Sequence, residues 1–262
     1  MIKENLFVLK QTSSLGDLLI KPVEKELARQ MVIEHHYSHK WNFGGFGVFN
    51  FGIFRADEPD KCLGVAVYGY MKNPTAKIFH HPNPKAWICE LNRLWIDDCL
   101  GKNAETVLIA ASIKLIRKMD ANVVAIQSFA DGRLGCGTIY KAANFKYYGF
   151  HYTRFLRNKR TGEFTHEQIL TTTTSPSGYV RSNISFLLGD LEVFVVKTYR
   201  YIYPLCKHFQ FKTKEKPYPE YDKGMEQIEW ERDRRKIKAN IISLLDKLVA
   251  EHRGDISMIR NR

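Results

Sequence analysis

Residues 127–150 read QSFADGRLGCGTIYKAANFKYYGF, and this stretch organises the interpretation of the whole chain. An apolar run just before it predicts a strand from Asn122 to Ser128 that is buried on both faces. Glycines follow the end of this strand, and glycine permits backbone conformations and close approaches that a Cβ forbids. A short helix over Thr138–Phe145 and a further strand are predicted next. The stretch therefore predicts a turn, open to a ligand, between two strands of a sheet.

The composition is that of a folded and basic protein. The chain has 262 residues, of which 44% are hydrophobic and 13% aromatic, and this argues for a buried core and against disorder. The 40 Lys and Arg residues exceed the 28 Asp and Glu residues, which gives a net charge of +12. A polyanionic partner is predicted, nucleic acid ahead of membrane, because basic side chains bind phosphates with release of counterions. A solvated basic surface is the alternative.

Cysteine usage and hydropathy indicate the compartment. The five cysteines are odd in number and form no CxxC pair, so neither a disulfide framework nor a thiolate zinc site is predicted. No charged-then-apolar leader opens the chain, and no apolar run reaches the roughly 18 residues of a membrane helix. We therefore expect a cytoplasmic protein with no membrane partner.

The N-terminal part predicts a strand, a turn and a helix. A strand is predicted at Leu6–Leu9, a polar turn at Gln11–Ser14, and a helix over Val23–Ile33 that begins at Pro22. If helical geometry continues, His35 and His39 share a face at a spacing that can bind a metal. No third ligand lies beside them, so metal binding, an active-site role and structural hydrogen bonding remain three interpretations of this segment.

The middle of the chain predicts sheet strands and a packed helix. Residues 51–54 and 63–71 predict an antiparallel hairpin with a turn at 57–61, and residues 73–85 a loop. In the predicted strand 86–97, alternation places Glu90 and Asn92 on one face and Arg93 on the other. Charges inside a sheet are costly unless paired, so Glu90 and Arg93 are ion-paired structure or site residues. Asn103 is predicted to cap a helix over 104–119.

The C-terminal third is rich in basic and aromatic residues. Residues 151–160 mix the two types at strand spacing, which suits contacts with phosphates and bases, whereas residues 171–178 predict a mobile loop. In the predicted strand 193–203, Lys197, Tyr199 and Tyr201 share a face opposite Arg200, and an edge strand blunted by charge is the alternative. The candidate DNA-binding residues are Lys197, Tyr199, Arg200, Tyr201, Arg154 and Arg157. Residues 226–251 predict a charged helix.

Several motifs, taken in order, resemble one known family. They are His36–His39, Glu90–Trp95, Ser128–Asp131, Gly137–Tyr140 and Lys197–Pro204. In that order they are similar to the Mom-type phage DNA-modification proteins, which are GNAT-like and modify the exocyclic amine of adenine. The resemblance implies an α/β (α+β) fold with a GNAT-like mixed, mostly antiparallel sheet and helices on both faces. A C-terminal helical extension lies outside the resemblance, and the change in sequence character from Lys212 predicts domains at 1–211 and 212–262.

The resemblance also implies an activity. We expect transfer of a small acyl-derived group to the exocyclic amine of adenine in double-stranded DNA, which would protect phage DNA from restriction in the cytoplasm of a bacterial host. Asp131 is the expected base or base-edge acceptor and Tyr140 the expected acid. The remaining candidate catalytic residues are Ser128, Glu90, Arg93, His36 and Tyr37.

The resemblance also suggests a cofactor, and two other functions remain as alternatives. GNAT enzymes bind the cofactor pyrophosphate through backbone amides at a helix start, for which Asn103, Ala104 and Asn144 are candidates. Acetyl-CoA is one candidate donor, although residues 98–106 contain a single glycine, an atypical number for such a loop. The alternatives are a CoA-dependent N-acetyltransferase acting on a protein or small amine, and a non-catalytic nucleic-acid-binding protein. The C-terminal helix is a candidate dimer contact.

Overall fold

The computed structural model describes residues 9–13, 15–41, 44–166, 179–180, 183–184, 187, 191–220 and 234–251. The chain divides into two compact units. The first comprises residues 1–150 and 199–223, and the second residues 151–198 and 224–262. The predicted boundary between residues 211 and 212 stays a prediction.

The first unit holds most of the secondary structure. In chain order its elements are β1 (Leu9–Ser13), β2 (Gly16–Pro22), α1 (Lys25–His35), β3 (Phe49–Arg55), β4 (Gly64–Tyr70), β5 (Phe79–His80), β6 (Trp87–Ile96), a 3-10 turn (Asp98–Leu100), α2 (Ala104–Met119), β7 (Val123–Asp131), α3 (Thr138–Ala142), the start of β8 (Lys146–Asn158), the end of β10 (Leu191–Pro204) and β11 (Gln210–Phe211). Hydrogen bonds join its main strands in the order β1-β2-β3-β4-β6-β7-β10-β8.

The main sheet is mixed and mostly antiparallel. Successive pairs from β1 to β4 and the pair β4–β6 are antiparallel, whereas β6 and β7 are parallel. A parallel pair requires a crossover, and α2 supplies it. The predicted α/β fold class is confirmed.

Helices cover both faces of this sheet, as predicted. Strand β4 shows the division, because successive side chains alternate. Val65 and Val67 pack with Ala28 and Val32 of α1, and we call this side the α1 face. On the other side, Tyr68 packs among residues of α2, and we call this side the α2 face. Burial of each large apolar side chain contributes about 1.5–3 kcal/mol.

Two local predictions in the N-terminal part and one in the middle of the chain are corrected. Pro22 ends β2 and does not begin a helix, and α1 runs from Lys25 to His35. Residues 11–13, predicted as a turn, pair with β2 as part of β1, while residues 6–8 lie outside the described part of the chain. The hairpin of β3 and β4 is confirmed. The predicted loop 73–85 contains β5, which pairs with β11.

The later elements also differ in detail from the prediction. Asn103 makes no side-chain cap and has a left-handed backbone with φ 73°. α3 ends at Ala142 because Asn144 takes a positive φ of 61°, a conformation that ends helices. β10 lies between β7 and β8, so the interpretation as an edge strand is wrong.

The second unit contains the remaining portions of β8 and β10, strand β9 (Phe164–His166) and helix α4 (Arg234–Glu251), with strand order β10-β8-β9. Leu156 of β8 packs with Ile237 and Ile241 of α4. The predicted C-terminal helix is confirmed from Arg234 onward. Residues 171–178 and 226–233 lie outside the described residues. Within the described part of the chain, no helix is long and apolar enough to cross a membrane.

Candidate active site

A β-bulge at Asn92 changes which side chains of β6 share a face. Tyr68 pairs with Leu91 and the preceding Val67 pairs with Arg93, so Asn92 is the extra residue. Arg93 therefore lies opposite Val67 on the α1 face. Glu90 precedes the bulge and also lies on the α1 face, since Leu91 beside it packs on the α2 face. The prediction that Glu90 and Arg93 occupy opposite faces is wrong, because an inserted residue shifts the alternation.

Beyond the bulge, β6 and β7 separate. Their parallel pairing ends at Glu90↔Gln127, although the strands continue to Ile96 and Asp131. We call the space between residues 91–96 and 128–131 the notch. One hydrogen bond, from Ser128 Oγ to the Leu91 carbonyl oxygen (3.3 Å), crosses its base. Ligands of α/β proteins bind where the carboxyl ends of parallel strands part, because backbone polar groups there are not used by a neighbouring strand.

Glu90 lies at the base of the notch and is held by two amides. Gln127 Nε2 donates to Glu90 Oε2 (2.9 Å), and Asn92 Nδ2 donates to Oε1 (3.2 Å). Burial raises the pKa of Glu90, while the two amides, Arg200 and Arg93 oppose that rise. A buried carboxyl group with a raised pKa and several polar neighbours is typical of groups that transfer protons.

The segment after α1 adds His36 to the same side. The ring is buried, its Nδ1 accepts the Ser38 N–H (3.1 Å), and it also bonds to Ser38 Oγ (2.8 Å). Burial, followed by the charges of Arg93 and His39, lowers the pKa of His36 to about 4. The imidazole is therefore neutral at neutral pH, with its proton on Nε2 because Nδ1 is an acceptor.

Tyr37 and an ion pair lie at the open end of the notch. Asp131 pairs with Arg133, whose Nε donates to both carboxylate oxygens (3.0 Å each). The Arg133 guanidinium lies 6.0 Å from the Tyr37 ring, and this ring is 52% exposed. Burial of its hydroxyl and the charge of Asp131 raise the pKa of Tyr37. Asp131 Oδ1 also accepts the Arg133 backbone N–H (3.0 Å), and Oδ2 accepts a hydrogen bond from Arg133 Nη2, so Arg133 fixes both carboxylate oxygens.

Arg93 connects the notch to the loop before β3. Its Nη1 donates to the Asn92 carbonyl (2.7 Å) and its Nε to the Lys40 carbonyl (3.3 Å), and the guanidinium lies 5.0 Å from the Phe46 ring. This loop approaches β4 closely: a Cβ on Gly69 would lie 1.8 Å from the Gly45 carbonyl oxygen. Glycine at position 69 is therefore required to keep the loop beside Arg93.

Ser128 and Tyr140 reach the notch from the α2 face. Tyr140 is buried, and burial raises its pKa to about 12 despite a hydrogen bond with Ser128. Its ring lies 5.2 Å from that of Tyr201. Gly137 is enclosed by both rings, since an added Cβ would lie 2.7 Å from Tyr201 and 3.0 Å from Tyr140. Tyr140 therefore holds a protonated hydroxyl at neutral pH.

Two of the predicted DNA-binding residues of the first unit are buried. Tyr199 and Tyr201 are buried in the α2-face core, and the Tyr201 hydroxyl donates to the Cys136 carbonyl. Arg200 lies on the α1 face, 5.2 Å from the Phe129 ring and 5.7 Å from the Phe211 ring. The expectation that the two tyrosines line an open groove is wrong, although their alternation with Arg200 is confirmed.

The basic residues of the second unit differ in exposure and in ion pairing. Lys197 and Arg154 are partly exposed. Arg157 pairs with Glu192, with its Nε donating to Oε2 (2.9 Å), and lies 4.4 Å from the Phe194 ring. The charge of Arg157 is therefore partly neutralised by Glu192 within the unit.

The candidate cofactor residues lie at two helix ends. Asn103 and Ala104 begin α2, a helix of 16 residues, and its first turn has no side-chain cap. Uncapped amides at a helix start bind anions, and the helix dipole adds to this, although Glu105 in the same turn opposes it. Asn144 is exposed at the end of α3, and its predicted cofactor role stays a prediction.

The two histidines proposed as metal ligands do not share a helix face. α1 ends at His35, which stacks on Trp95 with ring centroids 4.4 Å apart. His39 lies beyond the helix with φ 46° and bonds the Ile33 carbonyl through Nδ1 (2.9 Å). Among the described residues, no group of three or more His, Cys, Asp or Glu side chains is arranged to hold a metal ion.

Sequence reasoning missed Arg133 and Gln127. Arg133 is the one basic residue in the turn after Asp131, two positions on, a spacing at which side chains of a turn meet. That signal was present in the sequence. Gln127 resembles any polar residue at a strand end, and its importance appears only when β6 pairs beside it.

The fold is that of a mixed α/β protein, and the notch is its candidate ligand site, between two diverging parallel strands. The chain belongs to the Mom protein family, whose family model matches residues 17–220, and the predicted resemblance is confirmed. It is similar to the methylcarbamoylase mom of Escherichia phage Mu, with 31% identity over 154 residues. This match covers 58% of the chain and 61% of the relative, which is less than two thirds of the relative's length.

Solved structures of acetyltransferases are also similar to the chain. Arabidopsis thaliana NAA60 in complex with acetyl-CoA is 9% identical, with a TM-score of 0.44, covering 72% of this chain and 98% of that one. A Bacillus subtilis acetyltransferase in complex with CoA is 11% identical, with a TM-score of 0.38, covering 71% of this chain and 98% of that one.

Proposed function

We propose that the protein is an enzyme that transfers a small acyl-derived group to the exocyclic amine of adenine in DNA. Membership of the Mom family supports this proposal, as does the net charge of +12, which favours a polyanionic substrate. The observation that carries it is the notch, where a buried carboxyl group, two arginines and a protonated tyrosine surround one opening between β6 and β7.

The chemistry requires these groups because the adenine amine is a weak nucleophile. Its lone pair is delocalised into the ring, so the enzyme must extrude the base, orient the amine and remove a proton. The amine nitrogen forms a bond to the carbonyl carbon of the donor, and the bond from that carbon to the leaving group breaks. The proton released by nitrogen passes to a carboxylate of the protein, and the leaving group takes a proton from an acid.

Each predicted site residue has a role in this proposal. Asp131, fixed by Arg133, accepts a hydrogen bond from the adenine amine or its ring edge. Tyr140, held by Ser128, gives a proton to the leaving group, because it is a protonated acid at the notch. Arg93 stabilises negative charge that develops on the donor carbonyl.

His36 and Tyr37 close the pocket on the α1 face. Tyr37 is exposed, and its ring contacts that of His36 with centroids 4.3 Å apart and planes tilted by 33°. An exposed aromatic ring beside a notch is suited to stack on an extruded base, which contributes roughly 1–3 kcal/mol. The imidazole of His36 beside this ring is neutral at neutral pH, so its burial desolvates no charge.

The transferred group is inferred from the relative. The phage Mu protein is named a methylcarbamoylase, and we propose a methylcarbamoyl group for this chain also. The start of α2 at Asn103 and Ala104 has no side-chain cap. Its backbone N–H groups are hydrogen-bond donors that suit an anionic carrier such as CoA. When bound, a CoA thioester would supply an activated carbonyl.

The setting of the reaction follows from the same proposal. Double-stranded DNA is the substrate, the host cytoplasm is the compartment if a phage encodes the protein, and the modified adenine hides sites from restriction nucleases. We also propose that α4 forms a dimer contact between two copies of the chain. Its apolar residues Ile242, Leu245 and Val249 recur at helical spacing and are 46–48% exposed, and exposed apolar patches of this kind mark interaction surfaces.

Mass spectrometry of digested DNA tests the proposal. DNA from cells that express the protein is hydrolysed to nucleosides, and DNA from cells with an empty vector is the control. We expect deoxyadenosine with a mass increased by one methylcarbamoyl group. Unmodified DNA together with acetyl-CoA turnover on amines would instead indicate an N-acetyltransferase, and unmodified DNA with salt-sensitive binding alone would indicate a binding protein.

A further inference from the structure

The carboxylate of Glu90 is held from both sides by amides of two different strands. Gln127 of β7 donates to one oxygen at 2.9 Å, and Asn92 of β6 donates to the other at 3.2 Å. Both contacts depend on the tertiary fold: Gln127 stands opposite Glu90 at the last parallel pair, and Asn92 is the bulged residue. The carboxylate therefore has a fixed orientation at the base of the notch.

The arrangement leaves the other end of each amide without a partner. Gln127 Oε1 and Asn92 Oδ1 are buried and lack a hydrogen-bond partner in the described part of the chain, and so does Arg200 Nε. Gln127 as a whole is only 2% exposed. Unpartnered buried polar atoms oppose folding, and apolar side chains of the same shape would avoid that cost. The two amides therefore serve the carboxylate rather than the stability of the core.

We propose that Glu90 accepts the proton released by the attacking amine, and that Gln127 and Asn92 are positioning residues that hold it for this step. The inference rests on the proposed function and adds a proton acceptor with its two supports. The N–H bond of the adenine amine breaks as nitrogen bonds to the donor carbon, and the proton goes to a Glu90 oxygen. The leaving group departs with the electrons of its bond and takes a proton from Tyr140.

The network suits both protonation states of Glu90. The ionised carboxylate accepts the amide N–H groups seen in the structure. The protonated carboxyl group is a donor, and rotation of the Gln127 amide by half a turn brings its unpartnered Oε1 to accept that hydrogen.

The charged and titratable neighbours of Glu90 come from several strands. Arg93 of β6 and Arg200 of β10 favour the ionised form, while Cys89 and Tyr140 also interact with it electrostatically. Loss of the amide donors leaves these charges in place and removes only the hydrogen bonds that favour ionisation. The pKa of Glu90 must then rise.

Gln127→Met and Asn92→Leu test the proposal, with Ser112→Ala as the control. Ser112 is a buried polar residue whose hydroxyl donates within its own helix to the Leu108 carbonyl (2.7 Å). Three quantities are measured: modified deoxyadenosine in cellular DNA, the melting temperature, and the titration of Glu90 by carbon NMR of labelled glutamate, assigned with Glu90→Gln. We expect both amide variants to lose at least about tenfold in modification and to titrate at higher pH, with a lower melting temperature at neutral pH because the buried carboxylate loses a donor. Ser112→Ala should change neither the modification nor the titration of Glu90.

The outcomes for the Glu90 proposal and for the proposed function can be distinguished. Modification retained by Glu90→Gln or by both amide variants overturns the proposal, and so does an unchanged Glu90 titration. If the parent protein itself leaves DNA unmodified, the proposed function fails, whereas the titration still decides whether the amides hold Glu90. Should an apolar variant not fold, Gln127→Asn shortens the same amide and answers the same question.

Discussion

The α1 face and the α2 face of the sheet both carry polar groups beside the notch, but these groups differ in charge and in hydrogen bonding. On the α2 face the polar groups are neutral tyrosine hydroxyls: those of Tyr140 and Tyr201 have hydrogen-bond partners, whereas that of Tyr68 has none among the described residues. On the α1 face, Glu90 and Arg200 are partly desolvated, and unpartnered atoms remain around them. Burial of a charged group costs far more than burial of a neutral hydroxyl, so desolvated charges are retained at a cost that function explains. The comparison therefore assigns binding and proton transfer mainly to the α1 face.

The largest expected effect concerns Asp131. Asp131→Asn removes the charge that pairs with Arg133 and leaves the side-chain shape unchanged. We expect modification to fall by at least about 100-fold, with the melting temperature and DNA affinity nearly unchanged, as measured by nucleoside mass spectrometry and binding titration. Near-parental modification would show that the pair is structural, and the contrast between the faces would then fail at the open end of the notch.

The next effect is an acid sensitivity located on the α1 face. The pKa of His36 is lowered from 6.5 unfolded to about 4 folded, so below pH 6.5 the unfolded state binds a proton that the folded state does not. Stability is therefore complete above pH 6.5 and is lost as pH falls toward 4, by at most about 3 kcal/mol. His36→Gln should remove this part of the pH dependence in denaturant titrations, whereas His80→Gln at an exposed position should not.

A matched pair of tyrosines tests the α2 face. Tyr140→Phe removes a hydroxyl beside the notch, and we expect modification to fall about tenfold. Tyr201→Phe removes the hydroxyl of the neighbouring ring, and we expect a loss of roughly 1 kcal/mol of stability with the same modification as the parent. If both variants behave like Tyr201→Phe, the α2 face contributes structure only, and the leaving group takes its proton from another acid.

Part of this arrangement was predictable from the sequence. Alternation in β10 placed Arg200 opposite Tyr199 and Tyr201 correctly, because strand periodicity is local. Their burial was not predictable, since it depends on packing from elements distant in the chain. The shared face of Glu90 and Arg93 was also missed, because a bulge at Asn92 exists only in relation to Val67 and Tyr68 of β4. The bounds of α2 were predicted correctly, but Asn103 has a left-handed backbone and makes no side-chain cap. The predicted helix start at Pro22 was wrong because Pro22 pairs as the last residue of β2.

The smallest expected effect separates the two basic residues of β10. Arg200 lies beside Glu90 on the α1 face, so Arg200→Ala should lower modification and leave the salt dependence of DNA affinity unchanged. Lys197→Ala should weaken binding to every sequence alike and reduce the slope of log affinity against log salt by about one unit. Equal slopes for Lys197→Ala and the parent would exclude a phosphate contact at Lys197 and favour the segment from Arg154 to Arg160.

Photo-cross-linking tests most directly whether adenine enters the notch. A duplex that carries a photoreactive adenine analogue is irradiated with the protein, and the attached peptides are located by mass spectrometry. A duplex with the same group on a thymine is the control. We predict attachment at Tyr37 or within residues 128–133, and its loss when unlabelled duplex competes. Attachment confined to residues 151–160, with none beside the notch, would contradict the account.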